Sequence, residues 1–547
     1  MSVKRTSPVT LVIACMLAAA LLGGCTHMEL LGASENGSSG SAGDMSGTMA
    51  PDGAYSASEL YCEIEPIEPD PHRPLGDTEE YSSLDEPGFV STAIAPISTF
   101  SADVDTASYC NIRRMVREGS EAEAIPNGAV RIEEMLNYFD YDYALPAADD
   151  LFGVTTQIAA CPWNPETKLL VMGFATKPVE YGRTAGANLV FLIDTSGSMG
   201  DPEKLPLLKD SFAELVDGLT ERDRVSIVTY SGTERIVLEG ASGADKRTIT
   251  RAIDGLVAEG STNGEAGLEM AYRVAERSYL DGGVNRIVMA SDGDLNVGIT
   301  SESDLHDYVR DKRDGGVYLS VLGFGSGNYK DNKMETLADN GNGSYHYIDC
   351  IEEAEKVFGE DLASTIVPLA DDVKLQVEFN PAAIKGYRLI GYENRTLADE
   401  DFIDDAVDAG DVGAGHQFTI AYELATTDSA MEVYVPELKY KSRESEDMPD
   451  TAGDGEGAEW LTCSMRYKPA GTPVSVERSY PIDEASFTDA PSDDWTFAAA
   501  VIECGMTLRD SPHRGSASLH EARTLVERID LPAGDPKADF ERLLMRL

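Results

Sequence analysis

Between residues 187 and 366, apolar runs alternate with stretches of helical spacing, and few folds accommodate that pattern. The run NLVFLID is continuously apolar from Leu189 to Ile193, as expected of a strand covered on both faces. KLPLLKDSFAELVDGL follows, with Leu205, Leu208, Phe212, Leu215 and Leu219 recurring at helical spacing. DRVSIVTYS, ERIVLEG, NRIVMASDGD, VYLSVLGFG and SYHYID read as further strands. DKRTITRAIDGLV, GEAGLEMAYRVAERSYL, SESDLHDYVRDKRDG (capped by Ser301 or Ser303), NKMETLADNG and IEEAEKVFGEDLAST read as helices. Strands alternating with helices predict an α/β class, with a parallel central sheet between two helical layers. Ligands of such sheets bind beyond the carboxyl ends of the strands.

A chain of 547 residues exceeds one core, and 42% hydrophobic with 26% charged residues is a globular composition. Lys4 and Arg5 precede an apolar stretch over residues 9–22, interrupted by Thr10 and too short for an ordinary membrane span. Leu22-Gly23-Gly24-Cys25 resembles a bacterial lipobox, which predicts a signal peptide over 1–24 and a lipidated Cys25. A plain secretory signal is the other reading. Residues 25–95 read as a Gly/Ser/Pro-rich tether. Residues 96–180 read as an α+β segment: STFSADVDTASY as a strand, NIRRMVREGS and RIEEMLNYF as helices, KLLVMGFAT as a strand. Residues 367–547 read as a β-rich, sandwich-like domain ending in helices. Its strands are VKLQVEFN, YRLIGYE, HQFTIAYEL, MEVYVPELKYK and EWLTCSMRYK, and its helices DDWTFAAAVIECGMTL and SLHEARTLVERI. RESEDMPDTAGDGEGAE reads as an acidic loop. The predicted location is extracytoplasmic, anchored to a membrane through Cys25. Cys62, Cys110, Cys161, Cys350, Cys463 and Cys504 remain as free thiols or disulfides, with no C-x-x-C pair.

Charge narrows the partners. Ninety-six acidic residues against 44 basic give a net charge of -52. Such a surface repels nucleic acid and anionic lipid, and tolerates cations.

Asp194 closes the first buried strand, and Ser196 and Ser198 follow it. Gly260-Ser261-Thr262-Asn263-Gly264 lies directly before a helix, and Ser291-Asp292-Gly293 ends another buried strand. All three stretches fall on one predicted edge of the sheet. Two carboxylates and three hydroxyls are an all-oxygen donor set, which hard cations such as Mg²⁺ select.

FLIDTSGSM, GSTNGEAGLEMAY and RIVMASDGDLNVG together resemble the three metal-binding loops of the von Willebrand factor type A domain. The resemblance implies a Rossmann-like doubly wound domain over 187–366, holding Mg²⁺ (or Mn²⁺ or Ca²⁺) at a metal-ion-dependent adhesion site. Its ligands there would be Asp194, Ser196, Ser198, Thr262 and Asp292. It also implies a protein partner that offers an acidic residue to the cation. FSADVDTASYCNIRRMV, GYRLIGYENR, DAGDVGAGH and FAAAVIECGMTLRDSPHRG are similar to bacterial lipoproteins of the same class, so the resemblance covers roughly residues 90–547.

Other motifs carry less. Asp103 and Asp105 suggest a second cation site, but with no third acid near in sequence they read as turn or capping residues. Asp401, Asp404, Asp405, Asp408 and Asp411 lack the order of a calcium loop and read as a solvated loop. His346 and His416 read as structural. DTSGS lacks the G-x-S-x-G elbow of a serine hydrolase, and no His or extra Glu near the three loops nominates itself as a general base. Binding without catalysis is the expectation. A metal-assisted hydrolase and a structural envelope protein are the alternatives.

Overall fold

The structure is a computed structural model that describes residues 79–147, 150–179, 185–293, 302–313, 315–360, 366–435, 459–532 and 535–547. The first elements are β1 (Val90–Ser91), β2 (Ile97–Ser101), α1 (Ala107–Arg117), α2 (Ile132–Asn137), β3 (Phe152–Ala160) and β4 (Lys168–Thr176). There follow β5 (Ala187–Asp194), α3 (Leu205–Gly218), β6 (Arg224–Tyr230), β7 (Glu234–Ser242), α4 (Lys246–Asp254), α5 (Gly264–Arg277) and β8 (Val284–Ser291). Next come α6 (Glu302–Arg313), β9 (Tyr318–Phe324), α7 (Asp331–Asn340), β10 (Tyr345–Ile348) and α8 (Ile351–Glu355). The last are β11 (Pro368–Phe379), β12 (Ile384–Ile390), β13 (Gly410–Gly413), β14 (Gln417–Thr426), β15 (Glu459–Pro469), β16 (Val476–Asp483), α9 (Asp493–Leu508), α10 (Leu519–Val526) and α11 (Lys537–Leu544).

The central sheet has six strands in the order β10-β9-β8-β5-β6-β7. All pairs are parallel except β6 with β7, which closes one edge. Every residue of β5 is buried, as expected of its apolar run over residues 189–193. Leu189, Phe191 and Ile193 pack under α3 and α4, while Val190 and Leu192 face the side covered by α5 and α7. The chain runs from β5 to β6 on one side and later returns to β8 on the other. The order therefore reverses between β5 and β8, the place where such sheets open a crevice.

Among the described residues, two antiparallel sheets form the rest of the β structure. One is ordered β1-β12-β14-β4-β3; the other is β13-β11-β15-β16, with β2 also paired to β11. Both mix strands from before and after the central sheet, since β14 pairs with β4 and β11 with β2. Phe100, Phe174, Phe418 and Tyr422 share one buried cluster with Leu375, Leu461 and Met465, so the two sheets enclose a common core. Each segment alone would leave a strand edge open, and pairing across the insertion closes it.

Several elements differ from the sequence reading. The strand expected to run into SADVDTASY stops at Ser101, because Asp103 Oδ1 accepts the Asp105 N–H at 2.9 Å and turns the chain. β16 escaped prediction because Pro481 interrupts its alternation; as an edge strand paired to β15 it tolerates the proline. A third terminal helix, α11, adds Phe540, Leu543 and Leu544 to the helical core. Residues 431–435 form no strand, and the rest of MEVYVPELKYK and nearly all of the acidic loop lie outside the described residues. Helix α6 begins at Glu302, which puts Ser303 inside it; Ser301 lies outside the described residues. The acidic run is only partly solvated, since Asp408 pairs with Arg313 and Asp411 Oδ1 accepts the Asp372 N–H. Cys110, Cys161, Cys463 and Cys504 are buried free thiols, and Cys350 is disulfide-bonded. His346 is buried and His416 half-buried, and loss of water around the rings pushes both down, to about 4 and about 3. Among the described residues no helix is long and apolar enough to cross a membrane.

Buried charge ties α1 and α2 to the central sheet. Arg113 reaches Asp349 and Glu353, and Arg131 reaches Glu134 and Asp331. Glu133 beside them is fully buried, and neither of its oxygens accepts a hydrogen bond of ordinary geometry. Burial pushes its carboxyl up to about 8; the Glu393 and Asp103 charges add to this, and Arg509 offsets part of it. A raised carboxyl contributes stability that is full below its unfolded value and lost as pH rises through the folded one. Stability should therefore fall between roughly pH 4.5 and 8 through this residue. Glu133→Gln is expected to remove that fall and to gain about 2 kcal/mol at pH 9, read by chemical denaturation across pH.

Candidate cation site at the carboxyl edge of the central sheet

Asp194 ends β5, and the register that sets Ile193 beside Ala290 brings Ser291, the last residue of β8, and Asp292 just after it to the same edge. Both carboxylates thus stand at the reversal point of the sheet. Asp194 Oδ1 accepts the Ser196 N–H at 2.8 Å, and Ser291 Oγ donates to its Oδ2 at 3.4 Å. Ser196 is extended (φ -64°, ψ 164°) and leads into a 3-10 turn at Gly197–Gly200. That geometry sets the Ser196 and Ser198 hydroxyls 3.0 Å apart. The 259–261 loop is stitched to this turn by Gly197 N–H to Gly260 O (3.0 Å) and Glu259 N–H to Thr195 O (2.8 Å). Gly260 has φ +87°, a conformation that favours glycine, and the chain then passes half-buried Thr262 into α5.

Asp194 is fully buried, and burial pushes its carboxyl up to about 7, with the Asp292 charge adding to the effect and the Ser196 N–H opposing it. Two mutually repelling carboxylates with hydroxyls beside them form an electrostatic well for a cation. The donor set is all oxygen and fits a hard divalent ion.

One functional neighbour escaped the sequence reading. Lys204, 6% exposed, donates from Nζ to Asp292 Oδ2 at 2.9 Å. Its stem lies against Gly325 (φ +72°), where a Cβ would come within 2.3 Å of Lys204 Cε. The lysine occurs at the start of an amphipathic helix, so nothing in its own spacing marks it as part of the site. Lys204→Met should cost the metal-free protein about 3 kcal/mol, as when a buried pair loses its cation. It should also enlarge the rise in melting temperature that Mg²⁺ produces, which thermal melts with and without the ion would measure.

Residues 188–360 match the von Willebrand factor type A domain, residues 75–171 match a family described as von Willebrand factor, and residues 364–545 match the C-terminal family of uncharacterized protein YfbK. Uncharacterized protein YfbK of Escherichia coli (strain K12) is 40% identical over 481 residues, covering 85% of this chain and 80% of that protein. The chain belongs to the YfbK family of von Willebrand factor type A domain proteins. Uncharacterized protein sll0103 of Synechocystis sp. is 30% identical over 190 residues, 35% of this chain and 44% of that protein. Among solved structures, von Willebrand factor type A from Catenulispora acidiphila aligns with a TM-score of 0.42 at 16% identity, covering 74% of this chain and 91% of that one. Domains of the von Willebrand factor type A family generally mediate protein–protein interactions and often depend on a metal ion.

The family match agrees with the doubly wound sheet, its flanking β structure and its terminal helices. Of the five predicted ligands, Asp194, Ser196, Ser198 and Asp292 stand on two adjacent strand ends and the turn after the first. Thr262 enters on the loop that is hydrogen-bonded to that turn.

Proposed function

We propose that this protein binds a macromolecular partner through a divalent cation held by Asp194, Ser196, Ser198, Thr262 and Asp292. The observation that carries the reading is the meeting of Asp194 and Asp292 at the reversal point of the sheet, with two serine hydroxyls 3.0 Å apart beside them. Mg²⁺ suits this set, with Mn²⁺ or Ca²⁺ as substitutes. When bound, the ion supplies an electrophilic point that attracts a carboxylate from the partner.

The chain's own residues tune that attraction. Lys204 offsets part of the Asp292 charge, so the site neutralises a divalent ion incompletely and leaves it attractive to an anion. Elsewhere the net charge of -52 repels acidic surfaces, so only an acidic group that fits at the ion gains. In this reading residues 1–24 are removed, Cys25 is lipidated, and residues 25–95 hold the binding domain off the membrane of the cell envelope. Residues 187–366 carry the site, and residues 96–180 and 367–547 support it. The activity is binding without catalysis.

The test is partner capture from envelope extract by the full chain, with Mg²⁺, with EDTA, and with Asp194→Ala. A partner retained only by the wild type with Mg²⁺, and competed by an excess of acidic peptide, supports the reading. Equal recovery in all three arms removes it. Metal-dependent turnover of a substrate would point instead to a hydrolase.

A further inference from the structure

Six carboxylates meet two guanidinium groups where α2, α7, β10 and the 391–396 turn converge. Arg131 pairs with Glu134, Asp331 and Glu335, and Arg395 with Asp103, Asp105 and Asp339. Charge of that density away from water is costly unless something further neutralises it. Between the two arginines, Asp103, Asp105 and Glu134 are each at most 4% exposed. Each offers one carboxylate oxygen within 4.8 Å of the others.

Existing donors do not saturate these oxygens. Asp103 Oδ1 accepts from the Asp105 N–H at 2.9 Å and lies 3.4 Å from Arg395. Asp105 accepts the Tyr345 N–H at 2.7 Å and an Arg395 donor at 3.1 Å. Glu134 accepts the Ser108 N–H at 2.8 Å and two donors of Arg131. Asp103 Oδ2 is buried and accepts nothing. Asp103 also lines a cavity of about 240 Å³, together with Asp105, Asp339, Asp408 and Asp411. Asp411 Oδ2 is likewise buried without a partner. Asp339 and Asp408, whose side chains are 30% and 29% exposed, give this cavity a route to solvent.

We propose that Asp103, Asp105 and Glu134 form a second divalent-cation site, separate from the one at Asp194, and that it takes Ca²⁺. Oxygens on opposite sides of a Ca²⁺ ion lie about 5 Å apart, so three oxygens within 4.8 Å fit one coordination shell. Ca²⁺ also accepts irregular geometry and six to eight oxygens, whereas Mg²⁺ demands a near-octahedral shell and gives up water reluctantly. The ion would link three parts of the chain. Asp103 and Asp105 come from the segment before the central sheet, Glu134 from α2, and Tyr345 at the start of β10 already bonds Asp105. Among the described residues a second buried group, Cys110 with Asp349 and Glu353, differs: Arg113 donates to all three side chains.

The experiment is a Ca²⁺ and Tb³⁺ titration of the metal-stripped full chain at physiological ionic strength, where loose surface binding is screened. Calorimetry counts the ions, and tyrosine-sensitised Tb³⁺ emission reports an ion near buried Tyr345. In the Asp194→Ala background one ion should remain bound per chain, with sensitised emission. Adding Asp103→Asn should remove that ion or weaken it at least tenfold, and adding Glu134→Gln should do the same. Asn keeps the Oδ1 acceptor for the Asp105 N–H, so the turn should survive, and thermal melting checks it. If Asp103→Asn does not fold, the Glu134→Gln titration decides. No bound ion in Asp194→Ala, or an ion whose affinity neither added substitution changes, overturns the proposal. Loss confined to Asp194→Ala would leave only the first site, so the two readings fail separately.

Discussion

Asp194→Ala should abolish Mg²⁺ binding at the edge of the central sheet, with an affinity loss beyond the ~10–100-fold that follows removal of a merely supporting residue. Asp194 is one of two carboxylates there, and the other, Asp292, already shares its charge with Lys204. The substitution leaves an ion with one shared carboxylate and neutral hydroxyls, which scarcely repay its lost water. Calorimetric Mg²⁺ titration of the two proteins measures the loss, and Asp194→Asn, which keeps the acceptor for the Ser196 N–H, should fall between them. Stability should move the other way. A carboxyl raised to about 7 contributes stability that is lost as pH rises through that value. At pH 8 the metal-free wild type carries that cost and Asp194→Ala does not. The variant should melt no lower than the wild type without metal. Mg²⁺ should stabilise only the wild type, by about 2.7 kcal/mol at a hundred times its Kd. An unaltered Mg²⁺ isotherm in Asp194→Ala would remove Asp194 from the site.

Arg113→Met should be the most destabilising of the substitutions considered, by about 3–5 kcal/mol. Arg113 is 1% exposed and donates to Asp349 at 3.0 Å, to Glu353 at 2.8 Å and to the Tyr138 hydroxyl at 2.6 Å. Arg117 still reaches Asp349 in the variant, but Glu353 loses its guanidinium. Burial acts to raise the Glu353 carboxyl, yet Arg113 and Lys356 hold it below its usual range. A depressed carboxyl contributes stability above its unfolded value and loses it as pH falls through the folded one. The penalty of Arg113→Met should therefore be largest at neutral pH and shrink below roughly pH 4.5, where Glu353 can take up a proton. Denaturant unfolding at the two pH values measures this. A penalty independent of pH would assign the effect to packing.

Much of this was legible before folding. Hydrophobic period marked the strands and helices of the central sheet, because a strand buried on both faces reads as a nearly continuous apolar run and an amphipathic helix shows its spacing. The candidate donors Asp194, Ser196, Ser198, Thr262 and Asp292 were legible from their place at expected element boundaries together with the resemblance of their three loops to the von Willebrand factor type A domain. β16 was not, since only pairing with β15 makes room for Pro481.

By itself, then, the sequence determined the α/β alternation, the strand ends that carry the proposed donors, and the excess of acid. These follow from local spacing and composition. Only the tertiary structure decided which distant residues meet. It placed Lys204 on Asp292, 88 residues away, and Arg113 on Asp349, 236 residues away. It also supplied Glu134 as the third acid beside Asp103 and Asp105. Side chains from separate elements share no period along the chain. Their meeting is set by strand order and helix packing, and the cost of burying charge then favours arrangements in which most find a counter-charge.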